Sequence, residues 1–134
     1  MMSAKAAVYR NRRSIILSMK GEGGSGMSRN ELLPQELLEQ IPALYSGEDI
    51  PLKKKVIKVK YFLASFTWLV TECELQEGGD VLFFGYVINH ADPDCSEWGY
   101  FTLGQLMEVR FLCGVERDLW FSECTFWDYM ERII

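Results

Sequence analysis

The chain has 134 residues, 49% of them hydrophobic and 13% aromatic, enough for one domain with a true core and no need of disulfide or metal staples. Its formal charge of −5 is unevenly spread. Residues 1–30 carry six basic side chains against one acidic, whereas the remaining 104 carry 8 basic against 18 acidic. An acidic body of this kind argues against binding of duplex nucleic acid, because phosphates are repelled by most of its surface.

Compartment follows from cysteine usage and hydropathy. Cys73, Cys95, Cys113 and Cys124 form no C-x-x-C pair and no secreted disulfide framework. Free thiols in a reducing, cytoplasmic setting are expected. No apolar run reaches the length of a membrane span, and "SIILSM" is too short for the core of a secretory signal.

Along the chain, "GEGGSG" at 21–26 is flexible linker chemistry, and it separates a basic segment, 1–26, from a single domain, 27–134. Met27 is a plausible initiator there. The segment before it is expected to be a poorly ordered extension or an appended tag, with a nucleic-acid-binding arm as the alternative.

"LPQELLEQIP" predicts a helix between Pro34 and Pro42, with Leu33, Leu37, Leu38 and Ile41 on one face. From Lys53 the period changes to two. Ile57, Val59, Tyr61 and Leu63 alternate with Lys58 and Lys60, which predicts a strand with one wet face and its lysines guarding an edge. "FTWLVTECEL" predicts a second strand, "QEGGD" a hairpin turn through Gly78–Gly79, and "VLFFGYVIN" a third strand inside the sheet.

"HADPDCSE" then reads as a polar turn holding the chain's one histidine, His90. His90 and Cys95 are its only near pair of metal-ligand types, which lacks the paired spacing of a zinc site, so no metal is assigned. A catalytic reading, with His90 as base and Cys95 as nucleophile, needs convergence that side chains splayed from one turn seldom achieve. No catalytic residue and no cofactor is assigned.

"WGYF" predicts a fourth strand. Thr102 and Gln105 form a capping box for a helix that buries Leu103, Leu106 and Met107. "VERDLWF" reads as extended, with Arg117 free to bridge to Glu72 or Glu97, or to bind an anion. A terminal helix follows, capped by Thr125 or Ser122, with Phe126, Tyr129, Met130 and Ile133 on one stripe. The sum is an α+β domain, a mostly antiparallel sheet of four to five strands packed with two to three helices.

The blocks "LLPQELLEQIPALYSGED", "KVKYFLASFTWLVTECE", "LFFGYVIN", "EWGYFTLGQL" and "VERDLWF", in that order, resemble the bacterial domain-of-unknown-function family 2958, over about residues 31–122. The resemblance implies an accessory protein of plasmids, integrative elements or phages and assigns no activity. It places Trp68, Thr71, Glu72, Gly85, Gly99, Tyr100, Phe101, Glu116, Arg117 and Asp118 on the family's pattern, while Leu69 and Cys73 stand where aromatic residues are expected.

Two functional expectations follow. The first is a small cytoplasmic protein of a mobile element that works by protein–protein contact of its acidic domain. The second is a ligand binder or enzyme with a cleft built on Glu72, Glu97 and Arg117. Binding of nucleic acid through the basic arm is a weaker third. The candidate contact residues are Trp68, Glu72, Glu97, Trp98, Tyr100, Arg117 and Asp118.

Overall fold

In the computed structural model, residues 27–111 and 113–133 are described, with the side chains of Arg110 and Phe111 excepted. The basic segment 1–26, with any nucleic-acid role for it, lies outside the described residues.

Strand-forming residues gather into one sheet because hairpin chemistry joins them in sequence. Strands β2 (Val59–Leu63), β3 (Phe66–Leu75), β4 (Val81–Asn89) and β5 (Glu97–Thr102) run antiparallel, and β8 (Glu116–Arg117) adds to the outer side of β2. The order is β5-β4-β3-β2-β8. The β3–β4 turn is the expected one. Gly78 and Gly79 take φ of 88° and 95°, and Gln76 N donates to Asp80 O at 2.7 Å. The α+β class and the antiparallel sheet are thus as the residue pattern implies.

Both faces of the sheet are covered. On the first face lie α1 (Arg29–Leu32), α2 (Gln35–Gln40) and α3 (Leu103–Glu108), whose Leu32, Leu37, Leu38, Leu103 and Leu106 meet Val59, Tyr61, Leu63, Trp68, Val70, Phe83 and Phe101. The Thr102 box forms as expected: Gln105 N donates to Thr102 Oγ1 at 3.0 Å and Thr102 N to Gln105 Oε1 at 2.9 Å. On the second face α4 (Phe126–Ile133) lays Phe126, Tyr129 and Met130 over Ile57, Leu69, Tyr86 and Ile88. Thr125 caps it, accepting from Asp128 N at 3.1 Å. Two short ladders complete the fold: β1 (Val56–Ile57) with β9 (Cys124–Thr125), and β6 (Arg110–Phe111) with β7 (Cys113–Gly114).

Several expectations are corrected. The first predicted strand is broken at Lys58: Ile57 belongs to the second-face core, whereas Val59, Tyr61 and Leu63 belong to the first. Its lysines guard no edge, since β2 is paired on both sides. "VERDLWF" is extended only over Glu116–Arg117 and then turns at Leu119–Trp120. A helical turn, α1, precedes Pro34, closed by a Ser28/Glu31 capping box. Ile133 stays largely exposed at the end of its helix.

One irregularity positions the site. Val70 pairs with Gly85 and Glu72 with Phe84, so Thr71 is an extra residue, a β-bulge. Even-numbered Trp68 and Val70 face the first core, and after the bulge odd-numbered Cys73 does so. Glu72 is thereby turned to the second face.

Candidate functional site

The second face is only partly covered by α4. Beside that helix, the loop from Leu44 to Leu52 arches over β4 and β5 and leaves a cleft of about 470 Å³. Its walls are Tyr45, Ile50, Pro51 and Leu52 on the loop and Phe84, Trp98 and Tyr100 on the sheet, with Lys55 and Glu72 at the base and Glu48 at the rim.

Sheet alternation accounts for the aromatic wall. Phe84 pairs with Tyr100 and Tyr86 with Trp98 in the β4–β5 ladder, so all four rings share one face. Phe84 stacks on Trp98 at 5.5 Å between centroids and meets Tyr100 at 5.1 Å; Tyr45 reaches Tyr100 across the cleft at 6.4 Å. Gly85 and Gly99 are paired on the opposite face. A Cβ on Gly85 would lie 1.9 Å from the Leu69 carbonyl oxygen, so only glycine permits this approach of β4 to β3.

At the base, Lys55 Nζ lies 2.6 Å from Glu72 Oε2, with both side chains under a tenth exposed. The remaining valences are spent on the loop: Lys55 Nζ donates to Gly47 O at 2.9 Å, and Tyr45 N donates to Glu72 Oε1 at 3.2 Å. Tyr45 takes a φ of 67°, unusual for a residue with a Cβ. The Lys55 ammonium also stands 5.8 Å from the Phe84 ring centroid. The pair therefore fastens the loop wall to the sheet, satisfied on both sides as a buried ion pair must be.

Of the seven residues singled out in the sequence, Glu72, Trp98 and Tyr100 line this cleft. The others do not. Trp68 is buried in the first-face core. Glu97 pairs with Val87, a first-face residue, and β5 and β8 are opposite edges of the sheet. Arg117 donates from Nε to Glu31 O at 2.9 Å and from its backbone N to Met27 Sδ at 3.3 Å, pinning α1 against β8. It bridges to neither Glu72 nor Glu97. The cleft imagined from Glu72, Glu97 and Arg117 together is overturned, because the sheet keeps the three apart.

Asp118 organises the turn after β8. Its Oδ1 accepts from Trp120 N at 3.0 Å, its Oδ2 lies 3.5 Å from Lys60 Nζ, and its own N donates to Lys60 O at 2.9 Å. Lys58 pairs with Glu123 at 3.0 Å. Lys55 is thus internal, and Lys58 and Lys60 are each bridged to a carboxylate.

His90 is exposed on its turn, shares a hydrogen bond with Thr67 Oγ1 at 2.9 Å and donates its backbone N–H to Ser65 O. Cys95 Sγ donates to Asp92 Oδ2 at 3.1 Å, and this carboxylate raises the thiol pKa above its ordinary value. All four cysteines are free thiols. Among the described residues no three His, Cys, Asp or Glu side chains are placed to share a metal ion. No helix among them is long and apolar enough to cross a membrane.

Sequence reasoning missed Tyr45, Phe84 and Lys55. Tyr45 lies in a loop and Lys55 in a run of three lysines, so neither carries a local signal. Phe84 was detectable as an aromatic on the parity opposite Phe83.

A five-stranded antiparallel sheet with helices on both faces, and an aromatic cleft between loop and sheet, makes this a small α+β domain with a preformed concave surface. The chain belongs to the family described as "Protein of unknown function (DUF2958)", whose model matches residues 32–131. No curated protein matches the chain, and no solved structure does.

Proposed function

We propose that this domain acts by protein–protein contact, as an accessory protein of a mobile element, and that the aromatic cleft on the second face is the contact site. The cleft itself carries this reading. Its two buried charged groups neutralise each other, so what it offers a visitor is flat aromatic surface. Apolar groups are exposed at its mouth beside Glu48: Tyr45 is 53% exposed, Ile50 47% and Leu52 42%, with Trp127 exposed on the neighbouring helix. A concave group of aromatic side chains with polar residues at its edge is typical of sites where a partner anchors one or two side chains.

A photo-reactive residue in place of Ile50, introduced in the native host, tests this. A defined protein should cross-link at this position and not at Leu75, which is more accessible still, beside the β3–β4 turn. The Trp98→Ala change should abolish the cross-link. Equal labelling at both positions would defeat the proposal.

A further inference from the structure

The loop that walls the cleft is fastened by polar contacts more than by packing. From Tyr45 to Lys54 every residue but Gly47 is exposed. Ties within the loop hold its shape: Ser46 donates from N and Oγ to Ala43 O, Ile50 N donates to Gly47 O, and Lys54 N to Pro51 O. Both stems are fixed. Leu44 N donates to Cys73 O at 3.1 Å and Cys73 N to Pro42 O at 2.9 Å, so the first stem runs beside β3. At the second, Phe126 N donates to Lys55 O at 2.8 Å. Between the stems the loop meets the ion pair, where Glu72 accepts from Tyr45 N and Lys55 donates to Gly47 O.

Three features make this closure easy to undo. A buried ion pair gives up hydration that it regains on opening, so it fixes one geometry at small net gain. The closed loop hides little apolar surface, as the exposure of Tyr45, Ile50 and Leu52 shows. Tyr45 carries a φ of 67°, a strain that opening relieves. The seat over the pair is close all the same. A Cβ on Gly47 would stand 3.0 Å from Glu72 Oε2 and 3.3 Å from Lys55 Nζ.

We infer that residues 45–51 are a lid, clasped over the aromatic wall by the Lys55–Glu72 pair, which opens as a unit while the sheet stays folded and thereby gates the cleft. Opening parts Tyr45 from Tyr100 and uncovers Phe84 and Trp98 to an entering side chain. Lys55 and Glu72 then face water, where solvent and salt screen their attraction. The gating role rests on the reading of the cleft as a contact site; the motion does not.

Hydrogen exchange of the full chain, read amide by amide by NMR, tests the motion. Two neighbouring amides should differ: Tyr45, held by the clasp, should exchange at least about 100-fold faster than Leu44, held by β3. Gly47→Ala wedges the lid off its seat, and should raise the Tyr45 rate about tenfold while Leu44 and the midpoint of urea unfolding stay near wild type. Labelling with fluorotryptophan adds a readout that the loss of one hydrogen bond would not move. The fluorine signal of Trp98, in the cleft wall, should show μs–ms exchange and shift in Lys55→Met/Glu72→Leu, whereas that of Trp68, in the opposite core, should do neither. Equal exchange at Tyr45 and Leu44 in the wild-type chain, a Trp98 signal unmoved by loss of the clasp, or protection lost through the whole sheet in Gly47→Ala would each overturn the inference. Failure of the cross-link at position 50 would remove the partner and leave the lid, so the two readings fail separately.

Discussion

Lys55 and Glu72 face each other at 2.6 Å beneath the loop that walls the cleft, and each also holds that loop's backbone, at Gly47 and at Tyr45. Breaking one side strands the other charge away from water. Glu72→Leu or Lys55→Met alone should therefore cost about 3–5 kcal/mol, whereas the double apolar replacement Lys55→Met/Glu72→Leu should recover most of that loss. Urea unfolding of the four variants in a double-mutant cycle measures the coupling. Amide exchange at Tyr45 should speed up in every variant lacking Glu72's carboxylate.

Gly85→Ala should be among the most damaging single substitutions. Its Cβ would be driven into the Leu69 carbonyl, a backbone atom held in the β3–β4 ladder. A loss of at least about 3 kcal/mol, or failure to fold, is expected. Gly79→Ala meets no atom within 4 Å and carries only the strain of its φ of 95°, so the midpoint of urea unfolding should move far less.

Alkali should destabilise the fold in a defined window. Burial pushes the Cys73 thiol from 9.0 up to about 11, and raises the buried Tyr61 hydroxyl above its ordinary 10.0. In each case the folded chain retains a proton that the unfolded chain releases, so stability is complete below pH 9.0 and is lost as pH rises toward 11. Tyr61→Phe should flatten the upper part of the profile. It should also lower stability at neutral pH by about 1–2 kcal/mol, because the Leu32 carbonyl loses its 2.8 Å donor.

Cys95 should react slowly for an exposed thiol. Its hydrogen bond to Asp92, and the charges of Asp92, Asp94 and Glu97, favour the protonated form. Less thiolate at a given pH means slower alkylation, so Asp92→Asn should quicken labelling by iodoacetamide near pH ~8. Mass spectrometry of the labelled peptide follows it directly.

What could be read from the sequence was local chemistry. The Gly78–Gly79 turn, the Thr102/Gln105 cap and the interior place of β4 follow from rules that act within a few residues, and the structure contains all three. The cleft could not be read, because its walls come from segments far apart in the chain. Lys55 belongs to a lysine run that reads as solvated, yet a loop eight residues earlier and a strand seventeen later enclose it. Trp68 and Trp120 are the same residue type in strand-like contexts, one 1% and one 92% exposed. Only the paired neighbours of each strand decide between them. Arg117 reads as a partner for carboxylates, but the nearest acceptor the fold brings to it is a helix carbonyl.

The bulge at Thr71 has a consequence for how this sheet tolerates a change of length. Losing one residue from a regular strand turns everything beyond it inside out. Here β2 pairs with β3 only as far as Val70, and the ladder to β4 already runs from Val70 to Glu72 as if Thr71 were absent. A chain shortened by that one codon would keep the carboxylate of Glu72 outward and the sulfur of Cys73 inward. An insertion or deletion anywhere else in the strand would exchange them.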